Sequence, residues 1–156
     1  RGDQMAENKS LRTGASLMVV GAIVFFVYAV IFFFRAFTGA GFELGVETLN
    51  GVTIEQLNAL NPGVMYYINH LHVAVAGFIA ATAIAVAALA WYGVRNGEMW
   101  ALVAGVVSPV VGLAVALPMH WTGGFTLDWV AHLGGIYAGT LVFVIGALIA
   151  LKGLVK

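Results

Sequence analysis

Long apolar runs alternate with short polar breaks along this chain, and the runs define its elements. Four stretches, 16–37, 66–92, 100–119 and 129–151, stay apolar for about the 20 residues that a helix needs to cross a hydrocarbon core of about 30 Å. The segments TGAGFELGVE, VRNGE and HWTGGFTLD separate them in order. Backbone groups inside lipid must be bonded within the segment, and the runs lack the alternation of a membrane barrel, so the pattern predicts helices. The expected fold is an all-α integral membrane protein: a four-transmembrane-helix bundle, one domain over residues 1–156, with 38–65 as a long first outer loop.

That loop has its own periodicity. Thr53 followed three positions later by Gln56 fits a capping box, and Ile54, Leu57 and Leu60 fall on one helical face. Asn61-Pro62-Gly63 then stops the turn. The pattern predicts a short amphipathic helix lying over the bundle as a lid. Glu43 and Glu47, four apart, share a face if FELGVETL is also helical.

Composition agrees with the pattern. Hydrophobic residues make up 62% of the chain and charged residues 9%, and the mean hydropathy is +0.98. A soluble globular domain is far more charged. The formal net charge of +0 leaves no basic field for phosphates, so nucleic acid is excluded as an expected partner and the bilayer takes its place. The absence of cysteine removes disulfides, thiolate ligands, iron–sulfur clusters and cysteine nucleophiles. RGDQ before Met5 reads as a tag or the trace of a longer native end, and the first apolar run reads as a retained span rather than a cleaved signal peptide.

Lysine and arginine give the direction. Lys9 and Arg12 precede the first span, Arg95 lies in the second connection, and Lys152 and Lys156 follow the fourth span. The other two connections hold Glu43, Glu47, Glu55 and Asp128, with only Arg35 at a helix edge, from which its stem can snorkel outward. The positive-inside rule predicts a multi-pass protein of the cell (plasma) membrane with both termini cytoplasmic. His70, His72, His120 and His132 then all fall at the outer side, with Tyr66, Tyr67, Trp121 and Trp129 as an interfacial belt.

Membrane helices associate through close contact of small residues. His132, Gly135 and Gly139 lie at helical spacing behind Asp128, so His132 is expected to face protein. Pro109, Gly112, Ala116 and His120 form a comparable stripe, with Pro109 expected to kink its helix and Pro118 to loosen the end before His120. His70 and His72 differ by about 200° around the second helix, so only one can face a given neighbour. One small-residue stripe continues as Ala74, Gly77 and Ala81, the other as Ala76, Ala80 and Ala83, and the pattern leaves the choice open.

Three readings of these histidines compete. In the first they are structural, meeting water or capping helix ends, and replacing each by glutamine changes stability by about 1 kcal/mol or less. In the second, two neutral imidazoles hold a haem b between helices, His132 opposite His70 or His72, with glycine and alanine admitting the ring. In the third, His120, Asp128 and His132, with a histidine of the second span, hold zinc or copper. An open fourth position on such a metal permits hydrolysis or oxidation through bound water.

The segment YYINHLHVAVAGFIAATAIAVAALAWYGVRNG, a third span and WVAHLGGIYAG resemble one four-helix half of the heme A synthase family over roughly the last 90 residues. The resemblance implies haem ligands near the outer ends of the second and fourth helices, at His70 or His72 and at His132, and pairing of two copies to build an eight-helix whole. The chain departs from the family in having Tyr67 three residues before His70, Leu71 after it, and no outer-loop cysteine pair. These departures separate it from the family's oxidation of a haem methyl.

Other chemistries lack their parts. There is no phosphate-binding loop and no nucleophile elbow, and Ser108 has no histidine within a turn. No ionisable residue marks a transport path at mid-span. A different class fits the small size: a non-catalytic accessory subunit, either a homo-oligomer or part of a larger membrane complex, with no cofactor.

Overall fold

A computed structural model describes residues 2–38, 42–122 and 126–155. The centres of two polar breaks (39–41 and 123–125) and the terminal residues 1 and 156, with the basic flank at 156, lie outside the described residues. The helices run α1 (Gly2–Thr38), α2 (Ile54–Leu60), α3 (Pro62–Ala88), α4 (Met99–Ala116) and α5 (Trp129–Leu154). Lys9–Thr38, Pro62–Asn96, Met99–His120 and Trp129–Leu154 are each long and apolar enough to cross a membrane. The predicted all-α character therefore holds among the described residues.

The first helix is the hub. It packs along α5 on one flank and along α3 on the other, while α3 and α5 have no comparable contact with each other. Glycine explains the α1–α5 seam. A Cβ on Gly14 would sit 2.5 Å from the Ala150 nitrogen, and one on Gly146 would sit 2.7 Å from the Met18 nitrogen. Both distances are far inside van der Waals contact, so the two backbones touch where only hydrogen fits. Gly21 against Phe143 and Gly139 against Val24 continue the same seam.

The fourth helix is buried against this sandwich at its first turns. Ala101, Leu102 and Gly105 are buried with Met18, Val86, Ala90 and Val94 in the largest apolar cluster. Val107, Val110, Val111 and Val115 further along are exposed, and a Cβ on Gly112 would meet open space. Along the Pro109–Gly112–Ala116–His120 stripe, Pro109 is half-buried, Gly112 and Ala116 are exposed, and His120 meets His132 of α5.

The α3–α4 connection is a π-helical turn (Leu89–Gly93), a 3₁₀ turn (Val94–Asn96) and Gly97 at φ +85°. It closes tightly because a side chain on Gly93 would collide with Ala101. Leu11 touches Gly153 and lies 3.9 Å from a Cβ built on Gly97, so Arg12, Arg95 and Lys152 gather at one end of the bundle. All four histidines belong to the other end.

The segment between α1 and α2 differs from expectation. FELGVETL is not helical: Gly45, at φ +77°, reverses the chain so that the Val46 N–H donates to the Glu43 carbonyl at 3.0 Å. A second small bridge joins Leu49 and Val52. Glu43 and Glu47 consequently share no helical face. The predicted capping box at Thr53 and Gln56 is present on both sides. Ile54 and Leu57 pack on Phe42, Val46 and Met65, whereas Leu60 is 81% exposed. Asn61 ends α2 and also caps α3 through the Gly63 N–H, with Pro62 in the first turn.

Candidate functional site

The site begins with a helix cap. The Asp128 carboxylate accepts from the Val130 N–H at 2.9 Å and the Ala131 N–H at 3.1 Å, satisfying donors that a helix start leaves unpaired. The Asp128 N–H donates to the Gly45 carbonyl at 2.9 Å, which pins the reversed 42–46 segment onto the start of α5. A Cβ on Gly45 would lie 3.0 Å from the His132 nitrogen, so the approach needs glycine twice, for space and for φ.

One turn into α5, His132 is 1% exposed and is the one polar residue in the buried core of the described chain. Its Nδ1 bonds the Leu44 carbonyl, and its Nε2 lies 2.8 Å from Nε2 of His120. Pro118 tightens the end of the third span into the 3₁₀ turn Leu117–His120, as the sequence predicts. There the His120 Nδ1 reaches the Ala116 and Leu117 carbonyls, each at 3.2 Å.

The hydrogen-bond chemistry of this pair is restrictive. A carbonyl oxygen only accepts, so each Nδ1 bonded to one carries the hydrogen. In a neutral imidazole the other nitrogen is then a bare lone pair. Two such lone pairs facing at 2.8 Å repel; a proton or a metal ion between them relieves the repulsion, as does the other tautomer of one ring, whose Nε2 then donates.

The remaining candidates are distributed elsewhere. His72, half-buried, faces α1, where its ring lies 5.0 Å from that of Phe32, and Ala76 and Ala83 of its stripe are buried. His70 is exposed, as are Ala74, Gly77 and Ala81 on its stripe. Asp128 serves as the cap rather than joining the imidazoles. Among the described residues, no three His, Asp or Glu side chains form a metal-holding group, so the four-ligand zinc or copper set does not assemble. The His72–His132 haem pairing has α1 standing between its two helices.

His72 also borders a cavity of about 300 Å³ walled by Phe42, Val46, Leu49, Ile68 and Leu71, with Glu43 as its second polar member. Sequence reasoning overlooked two participants. The Leu44 carbonyl carries no side-chain signal at all. Gly45, a glycine between two glutamates in an otherwise regular segment, was the visible sign of a chain reversal.

The chain matches no family model, no curated protein and no solved structure.

Proposed function

We propose that this chain is a four-span integral membrane protein, both termini cytoplasmic, whose His120–His132 pair holds a transition-metal cation of the zinc or copper class at the outer end of the bundle. The observation that carries this reading is the convergence of two Nε2 atoms whose partner nitrogens each lie within hydrogen-bond distance of a carbonyl. Imidazole suits zinc and copper, and hydrogen bonding at the far nitrogen orients a ligating ring. Two metal–nitrogen bonds of about 2.0 Å at a tetrahedral angle set the nitrogens about 3.3 Å apart. Binding therefore asks the rings to part by roughly half an ångström. With two protein ligands, a bound metal would keep positions open for water or for a partner's ligand.

Metal analysis of detergent-purified protein after dialysis against zinc or copper tests this. The expected result is one metal per chain, lost in His120→Ala and in His132→Ala and retained in His70→Ala. A Soret band that disappears in His132→Ala would move the assignment to haem. A colourless, metal-free protein would leave the accessory-subunit reading, in which the pair merely shares a proton.

A further inference from the structure

A second site lies on the opposite flank of α1 from the histidine pair. The cavity beside His72 has apolar walls and two polar groups, Glu43 and His72. One turn deeper along α1 from Phe32, Tyr28 is 7% exposed and stacks on Phe32 at 6.0 Å. Its hydroxyl has no hydrogen-bond partner among the described residues, yet it is not sealed from a water-sized probe. Glu43 and His72 line the cavity from different elements, the 42–46 reversal and α3. A carboxylate and an imidazole thus share one apolar space between the 42–49 segment and α3.

We propose that this cavity binds a membrane-soluble quinol, with ring hydroxyls on Glu43 and His72 and its alkyl chain along Ile68 and Leu71. The charge pattern selects this class. An anionic amphiphile such as a fatty acid would be repelled by Glu43. An alkyl ammonium would bring a second charge into an apolar wall, and its desolvation offsets the attraction. A neutral phenolic hydroxyl instead donates a charge-assisted hydrogen bond to the carboxylate without adding charge. A ring with two opposed hydroxyls uses both polar members of the wall, whereas a simple alcohol uses one. The volume lies at the lower end of the range for small-molecule sites of about 300–1,000 Å³, which suits a single ring and the first part of a chain.

The test uses the full chain in phosphatidylcholine nanodiscs, titrated anaerobically with decylhydroquinone by calorimetry. Saturable binding of one molecule per chain is expected, weakened about tenfold by Glu43→Gln and by His72→Phe, as loss of one charged or neutral hydrogen bond predicts. His72→Phe keeps a ring against Phe32, so it separates loss of the bond from loss of packing. Ile68→Trp, which fills the cavity, should abolish binding with helical content unchanged by circular dichroism, and His70→Ala should bind as the parent does. Uptake no greater than into empty nanodiscs would overturn the proposal. So would full-strength binding in both polar variants, or preferential binding of dodecyltrimethylammonium at the same site.

Discussion

At the scale of the residue, environment separates the four histidines more than identity does. His132 is buried with both nitrogens engaged, so His132→Ala strands the Leu44 carbonyl and should cost about 1–3 kcal/mol. His70→Ala, on an exposed face, should stay within about 0.5 kcal/mol. Denaturant titration in detergent compares the two, and equal losses would contradict the assigned burial. A second residue-level outcome concerns Glu55 in the first turn of α2. Its carboxyl is held below the usual carboxylate range, chiefly by a backbone N–H and then by the Thr53 hydroxyl. A depressed folded pKa adds stability to α2 above the unfolded value, and that increment disappears as pH falls through the folded one. Thr53→Ala should therefore raise the Glu55 pKa toward the ordinary range, which NMR titration reads directly.

At the scale of the element, the glycines divide by what faces them. Gly146 meets the α1 backbone, so Gly146→Val should force α1 and α5 apart and destabilise by about 1–3 kcal/mol, as overpacking does. Gly77 meets nothing within 4 Å. Gly77→Ala should instead stabilise by about 0.5–1 kcal/mol by restricting the unfolded backbone and favouring helix. Thermal unfolding of the pair gives the comparison, and a shift of the same sign in both would reject the α1–α5 seam. The small residues of the second and fourth spans were visible in the sequence as packing stripes. The stripe of α5 meets a helix along its length, whereas that of α4 is exposed at Gly112 and Ala116 and meets α5 at His120. Spacing shows that residues share a face but not whether a neighbour occupies it. The condition on which Glu43 and Glu47 would share a face is not met for a similar reason: two glutamates four apart suit a helix, but the chain reverses at Gly45, whose carbonyl accepts from the Asp128 N–H.

At the scale of the whole molecule, arrangement follows from α1 lying between α3 and α5. Arg12, Arg95 and Lys152 share one end and the histidines the other, so a single orientation accounts for charge and chemistry together. The chain has no cysteine of its own, which makes single-cysteine labelling clean. In intact cells, Asn58→Cys should react with a membrane-impermeant maleimide, and Asn96→Cys should react only after permeabilisation. The reverse pattern would invert the bundle and move the histidine end to the cytoplasm.

Sequence alone determined the number of long apolar helices, the cap at Thr53, the loosened turn at Pro118 and the inward direction of His132. Each of these depends on hydrophobic length, on local backbone bonding or on residues within a few turns of one another. Only the tertiary structure decided that His72 rather than His70 faces α1, that His120 is the partner of His132, and that α1 is the hub whose glycines admit α5. These depend on contacts between segments far apart in the chain, where close packing of small residues rather than apolar character selects the neighbour.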